Sequence, residues 1–385
     1  MSVLTSHAQD KTIALPGRRK VTLANELGQG MGATVYRGIL ETDSFIRRPV
    51  AVKIFDLSAH EEPDTAVLML GRAAQRAANV VHPNAVQTYE MALFGRNHAA
   101  VVTELVEGTT LERLVRGQAR LGEADGGGRR MPLDLALFVT TEIAEALSGA
   151  RVATTPEGLH AGMPHLDVSL HQVLLSFHGE VKLSDFGLAQ ISHWGSRIRA
   201  IQGIPRRWAT VAPEVARGQP GDARSDVFSL GIIFREMLIG PRFGADVTEA
   251  QAVEHTRDGF VVPTFHELQL PADVSSILRV ALEPEPARRY PHATAMAYEL
   301  RRVALSMGVG DGRMFLRNAI AEHAAIASSP PPAPESGIAT KDFDDETEEL
   351  DGLDDDTPQL VEDRASGLIL KASRDMPGPK KRQGT

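Results

Sequence analysis

Residues 165–187 read HLDVSLHQVLLSFHGEVKLSDFG, with Asp167 two places after His165 and an Asp-Phe-Gly closing the stretch at 185–187. The chain upstream of it changes character once. From Val21 to about Val106, β-branched and polar residues alternate between turns, and VTLANELGQG, TVYRGIL, VAVKIF, AVQTYEM and AAVVTEL read as strands of one antiparallel sheet. Among them TAVLMLGRAAQRAAN has helical spacing, and Pro83 closes it. After Gly108 the pattern is mostly helical. LERLVRGQA is followed by a Gly-rich loop (GEADGGGRR) and by PLDLALFVTTEIAEALSGARV, where Pro132 suits a helix start. SDVFSLGIIFREMLIG, DVSSILRVALE and ATAMAYELRRVAL continue the pattern, and residues 314–326 allow one more helix. The fold class is therefore α+β, a small antiparallel sheet domain with one helix followed by a larger helical domain.

A chain of 385 residues with 42% apolar composition can bury a large core, and length alone predicts two or three domains. The absence of cysteine removes disulfides and thiolate zinc sites and agrees with a cytoplasmic protein. No run of 18 apolar residues offers a membrane span, and no apolar block near the N-terminus reads as a signal peptide. The net charge of −9 is concentrated at one end: from Ala327 onward there are 14 acidic and 7 basic residues, against 36 and 34 in the remainder. The near-neutral body carries no electrostatic footprint for nucleic acid. SSPPPAPES breaks all periodicity, and the acidic segment after it cannot bury enough surface to fold alone. The expected boundaries are an N-terminal arm at 1–20, a sheet lobe at 21–106, a helical lobe with an appended helix at 107–326, and a disordered Pro-rich, acidic tail at 327–385.

LGQGMGATVYRG at 27–38 places glycines at 28, 30 and 32 between two strands. Such a turn either makes a tight hairpin or lets backbone N–H groups approach phosphates without side chains in the way. Lys53 in VAVK, taken alone, reads as a solvated strand lysine. The set becomes specific in order: GxGxxAxV at 28–35, VAVK at 50–53, HxD at 165–167, DFG at 185–187, APE at 212–214, DVFSLG at 226–231 and EPxxRY at 285–290. This series resembles the protein kinase family, specifically the eukaryotic-like bacterial Ser/Thr kinases, over about residues 21–305.

The resemblance implies a two-lobed protein-kinase fold with ATP and magnesium in the cleft. Gly28, Gly30 and Ala33 would form the nucleotide-covering loop, and Val35, Ala51 and Leu174 would sandwich adenine. Lys53 would contact the α- and β-phosphates. In TELVEG, Thr103 would be the gatekeeper, and Glu104 with Val106 the hinge that bonds the adenine edge. Asp185 would hold magnesium and Asp167 would orient the acceptor hydroxyl. Glu214 with Arg289, and Asp226, match positions that keep the fold.

Five positions depart from the family pattern. Leu166 replaces an arginine that senses a phosphorylated activation loop, Ser169 replaces a lysine, and Leu170 replaces a proline that stiffens the loop. Gln172 stands where an asparagine would hold magnesium. Its extra methylene moves the amide oxygen by about 1.5 Å along an extended chain, whereas magnesium demands near-ideal octahedral geometry. Family spacing puts a glutamate partner for Lys53 at Ala73, and no acidic residue lies between Asp64 and Glu90.

Between DFG and APE the chain carries Ile204 where relatives have a substrate-contacting threonine, four arginines (197, 199, 206 and 207), and the hydroxyls of Ser192, Ser196 and Thr210, read as exposed loop residues. The tail holds a near-repeat, FDDETEEL at 343–350 and LDDDTPQL at 353–360. It reads as a solvated acidic tail or as linear motifs that bind the basic segment or a partner recognising phosphothreonine at Thr347 or Thr357. Three functions follow from the whole. One is a regulatory, pseudokinase-like signalling protein with impaired or conditional Ser/Thr phosphotransfer to a protein substrate or signalling partner. The others are a fully active Ser/Thr kinase and a nucleotide-independent scaffold.

Overall fold

The computed structural model describes residues 12–30, 33–44, 46–58, 63–95, 97–124, 130–188, 205–244, 246–259 and 270–327. The activation-segment residues Ser192, Ser196, Arg197, Arg199 and Ile204, and the tail with Thr347 and Thr357, lie outside them.

Among the described residues the small lobe is a six-stranded antiparallel sheet in the order β1-β2-β3-β4-β6-β5. Its strands are β1 (Thr12–Leu15), β2 (Arg19–Gly30), β3 (Ala33–Glu41), β4 (Arg47–Asp56), β5 (Thr88–Phe94) and β6 (His98–Glu104). The expected arm through residue 20 is corrected here, because Ile13 pairs with Val21 and both are buried. Strand alternation divides the lobe's apolar residues between two faces. Val50, Val52, Ile54, Ala100 and Val102 pack with Ile13, Leu15 and Val21 on one face. Phe55, Ala99 and Val101 pack with Ala66, Leu70 and Ala73 of α1 (Pro63–Ala78) on the other.

The large lobe is helical: α2 (Leu111–Ala124), α3 (Leu133–Arg151), α4 (Pro205–Thr210), α5 (Pro213–Ala216), α6 (Ala223–Ile239), α7 (Glu249–Asp258), α8 (Ala272–Ala281), α9 (Ala293–Ser306) and α10 (Gly312–Ala327). A short sheet of β7 (Gly108–Thr110), β8 (Val173–Ser176) and β9 (Val181–Leu183) is added to it. The sequence pattern did not reveal that sheet. α6 is buried from Ser225 through Leu238, and its apolar residues pack into the lobe while the buried Ser225, Asp226, Ser229, Arg235 and Glu236 sit among them. The Asp222 carboxylate caps it, accepting from Arg224 N–H at 2.8 Å while Ser225 Oγ accepts from Asp222 N–H at 3.1 Å. Thr210 is buried, and its carbonyl accepts from Ser229 Oγ at 2.7 Å. Its expected place among the exposed hydroxyls is corrected: helix α4 turns it into the lobe.

The α1–β5 connection ties the lobes together. Asn84 Nδ2 donates to Glu142 Oε2 at 2.7 Å and to the Val181 carbonyl at 3.0 Å, while Leu183 N–H donates to the Asn84 carbonyl at 2.7 Å. Among the described residues no helix is long and apolar enough to cross a membrane.

Candidate active site

Register in the small lobe collects the expected cleft residues on one face. Directly opposed residues in antiparallel strands point the same way. Gly28 is opposite Val35, Val35 opposite Lys53, and Lys53 opposite Val101. Two residues along, Gly30 faces Ala33, which faces Phe55. In the other direction Ala51 faces Thr103. Ala33, Val35, Ala51, Lys53 and Thr103 therefore share the face turned towards α1 and the large lobe, with Gly28 and Gly30 at its margin. Leu174 in β8 is half-buried, and the alternation sets it on the opposite side from the buried Val173 and Leu175.

The catalytic-loop stretch is built around two aspartates. Asp226 at the start of α6 accepts from His165 N–H and Leu166 N–H, both at 2.7 Å. His165 Nδ1 accepts from Asp167 N–H at 3.2 Å, which leaves Nε2–H to donate to the Ser184 carbonyl at 2.7 Å. One buried imidazole thus spaces Asp167 from the residue before Asp185, and its ring packs edge-on against Phe186 with centroids 4.7 Å apart. Leu166 and Asp185 adopt left-handed backbone at φ 62° and 67°. Such strain in non-glycine residues persists only where surrounding bonds impose it.

Lys53 Nζ bonds directly to Asp185 Oδ1. Burial alone would push the Asp185 carboxyl up, but the Lys53 ammonium beside it, with help from His165 and the Gln172 amide, holds it below the usual aspartate range. Ala73 lies where α1 crosses the Asp-Phe-Gly turn: a Cβ on Gly187 would come within 3.0 Å of the Ala73 carbonyl oxygen. Its neighbours Phe55, Leu57, Ala66 and Leu70 are apolar. The lysine has therefore taken the aspartate as its acidic partner.

Gln172 is buried, and its two amide ends have different partners. Oε1 accepts from Ser184 Oγ at 2.7 Å, while Nε2 lies 3.5 Å from Asp167 Oδ2 and the amide also bonds Asp185. The oxygen expected to face a metal thus faces Ser184, and the amide N–H groups face the aspartates. Hard oxygen donors for a divalent cation are present in Asp185 and, once the amide is turned, in Gln172. Ser169 is buried with its hydroxyl 3.1 Å from His171 Nδ1, and Leu170 packs against the large-lobe core.

Two residues that sequence reasoning missed complete the site. Ser184 fixes the Gln172 amide. Lys182 pairs with Glu104, the last residue of β6 and the expected hinge position, at 2.9 Å. Neither has a local signal, because each acts on a residue at least 12 positions away. Farther out, Arg289 donates to both oxygens of Glu214 at 2.8 Å.

The chain matches the family model for protein tyrosine and serine/threonine kinases over residues 21–300. It is similar to serine/threonine-protein kinase PknB of Mycolicibacterium smegmatis, 29% identical over 327 residues covering 83% of this chain and 48% of the relative. PknB of Mycobacterium tuberculosis is 30% identical over 287 residues, covering 72% and 42%. A Clostridium acetobutylicum protein named "Probable serine/threonine-protein kinase" is 28% identical over 298 residues, covering 77% and 41%. The chain spans less than half the length of these curated relatives. With that match over most of its length, on a fold of a small sheet lobe and a larger helical lobe, the chain belongs to the protein tyrosine and serine/threonine kinase family.

Proposed function

We propose that the chain binds ATP with magnesium between the lobes and signals through protein contacts, with impaired or conditional phosphoryl transfer to Ser or Thr. The observation that carries this reading is the combination at Gln172: Lys53, Asp167 and Asp185 are kept, while the amide beside them turns its oxygen to Ser184. Gly28, Gly30 and Ala33 cover the nucleotide, Val35, Ala51 and Leu174 flank its base beside Thr103, and the backbone of Glu104 and Val106 bonds the base edge. Lys53 leaves Asp185 for the α- and β-phosphates. Asp185 and Gln172 are the residues that would hold magnesium, which neutralises phosphate charge while ATP supplies the phosphoryl group. Asp167 orients the acceptor hydroxyl and takes its proton, a contribution typically worth about 10²–10⁴ in rate. Two rearrangements, of Lys53 and of the Gln172 amide, precede that arrangement and make transfer slow or conditional.

A fully active serine/threonine kinase is the second reading, favoured by the names of the relatives and by the three retained ionic residues. Melting temperature and radiolabel transfer with Mg-ATP separate them, beside Lys53→Ala, Asp167→Ala and Asp185→Ala. Ligand at about 100 times its Kd stabilises a fold by about 2.7 kcal/mol. A shift with weak or no transfer supports the regulatory reading, and fast transfer abolished by Asp167→Ala supports the active kinase. No shift at all rejects both in favour of a nucleotide-independent scaffold.

A further inference from the structure

We infer that Lys182 is a positioning residue of the nucleotide site, acting through Glu104 on the hinge. The inference rests on the ATP reading above and extends it to a residue outside the motif set. Lys182 is the centre of β9, between buried Val181 and Leu183, and its side chain is only 11% exposed. Lysine is rarely so buried unless paired. Its partner is Glu104, the last residue of β6, whose side chain is 26% exposed and whose Oε1 lies 2.9 Å from Nζ.

The pair closes a three-way junction. Glu104 Oε2 accepts from Gln87 N–H at 3.3 Å, and Glu104 N–H donates to the Gln87 carbonyl at 2.8 Å. The loop that carries Gln87 is itself pinned to β9, where Val86 N–H donates to the Leu183 carbonyl at 2.9 Å. So the hinge residue is held at its side chain by the large lobe and at its backbone by the α1–β5 loop. β9 continues to Asp185 three residues later, and the register partner of Lys182 is Leu174. One charge pair therefore joins the strand leading to Asp185, the strand that carries Leu174 and the last residue of β6, which the ATP reading sets beside the base. A buried ion pair is weak evidence for stability; here its place gives it a use, because a hinge fixed in advance loses less freedom when a base binds.

The test is calorimetric affinity for adenosine and for Mg-ADP, well below the melting temperature, in wild type, Lys182→Met, Lys182→Arg, Glu104→Gln and the Lys182→Met/Glu104→Gln double variant. Lys182→Met should weaken both ligands by the same factor, on the order of tenfold, since the effect falls on the base and not on the phosphates. Lys182→Arg should recover most of the loss, and the double variant should be no weaker than the single. A lowered melting temperature with unchanged affinity of the folded Lys182→Met protein would mean a purely structural role and overturn the inference alone. If wild type binds neither ligand, the ATP reading falls and takes the inference with it.

Discussion

Replacing Gln172 by asparagine should tighten magnesium and raise the transfer rate, and the structure sets the size of the effect. For Gln172 to offer its oxygen to a cation, the amide must turn half way round. The bond with Ser184 survives, because the hydroxyl that now donates to Oε1 at 2.7 Å can accept from the amide nitrogen instead. What is lost is the donation from that nitrogen to the aspartates, one of them Asp167 at 3.5 Å. Hydrogen bonds to charged groups contribute about 1.5–3 kcal/mol, so the metal-competent arrangement starts at a disadvantage of roughly 10- to 150-fold. The long Asp167 distance argues for the lower end. Asparagine, one methylene shorter, cannot span from Ser184 to the aspartates and loses less when it turns its oxygen to the metal. The assay is a magnesium titration of nucleotide binding and of transfer at fixed low ATP. Half-saturating magnesium should fall by about tenfold or more in Gln172→Asn. An unchanged midpoint with an unchanged rate would refute the idea that this amide limits the site.

Arg289→Met should cost about 3–5 kcal/mol in denaturant unfolding, since it strands the buried Glu214 carboxylate; the side chains are 0% and 6% exposed, and Arg289 also donates to the Glu283, Pro284 and Arg224 carbonyls. Adding Glu214→Gln should recover part of that cost, and a single-variant loss below about 1 kcal/mol would put the pair among ordinary surface bridges. Asp226 should make stability fall as pH rises. Burial pushes its carboxyl up to about 6 against the pull of His165 and its N–H donors. The folded state thus holds the proton more tightly than the unfolded chain, a contribution full below about pH 4 and lost through pH 6, worth about 3 kcal/mol. The stability difference between wild type and Asp226→Asn should shift by that amount in favour of wild type between pH 7.5 and 4, and parallel curves would contradict it. Ala73→Glu should release Asp185 from Lys53 and tighten ATP while lowering the melting temperature, because the new carboxylate enters an apolar cluster. If ATP affinity is unaltered, Lys53 does not depend on an acidic partner in α1.

The long elements were legible because their patterns are long. α3 and α6 announce themselves by 19 and 17 residues of helical character, and the sheet lobe by repeated alternation. β1 has four residues and β7 and β9 three each, too few for alternation to stand out, and α7 reads as the polar string EAQAVEHTRD, with almost no apolar stripe. The motifs were legible by their order, and the cross-strand register is the physical reason Val35, Ala51, Lys53 and Thr103 share one face of the sheet. The partnerships were not legible. Nothing in the sequence says that Ser184 takes the Gln172 oxygen, that Lys182 reaches Glu104, or that Lys53 settles on Asp185, since the first contact exists only in the folded large lobe and the other two only once the lobes meet.

Leu166 shows how the loop can lose a charge partner and keep its geometry. The position demands left-handed backbone whatever its side chain, at a cost of about 1–3 kcal/mol for a non-glycine residue. That conformation points the Leu166 N–H at Asp226 and the Asp167 N–H at His165, so the backbone bonds that offset the strain are also those that aim the second aspartate. A side chain at 166 is free to change as long as it does not disturb them. Leucine has turned to apolar packing: its Cδ2 lies over Gly221, where a Cβ would come within 2.8 Å of it. An arginine at this place reads a phosphorylated segment by charge, and leucine has no charge with which to do so. The loop is held here by Asp226 and His165, through backbone bonds that no side chain at 166 has to supply.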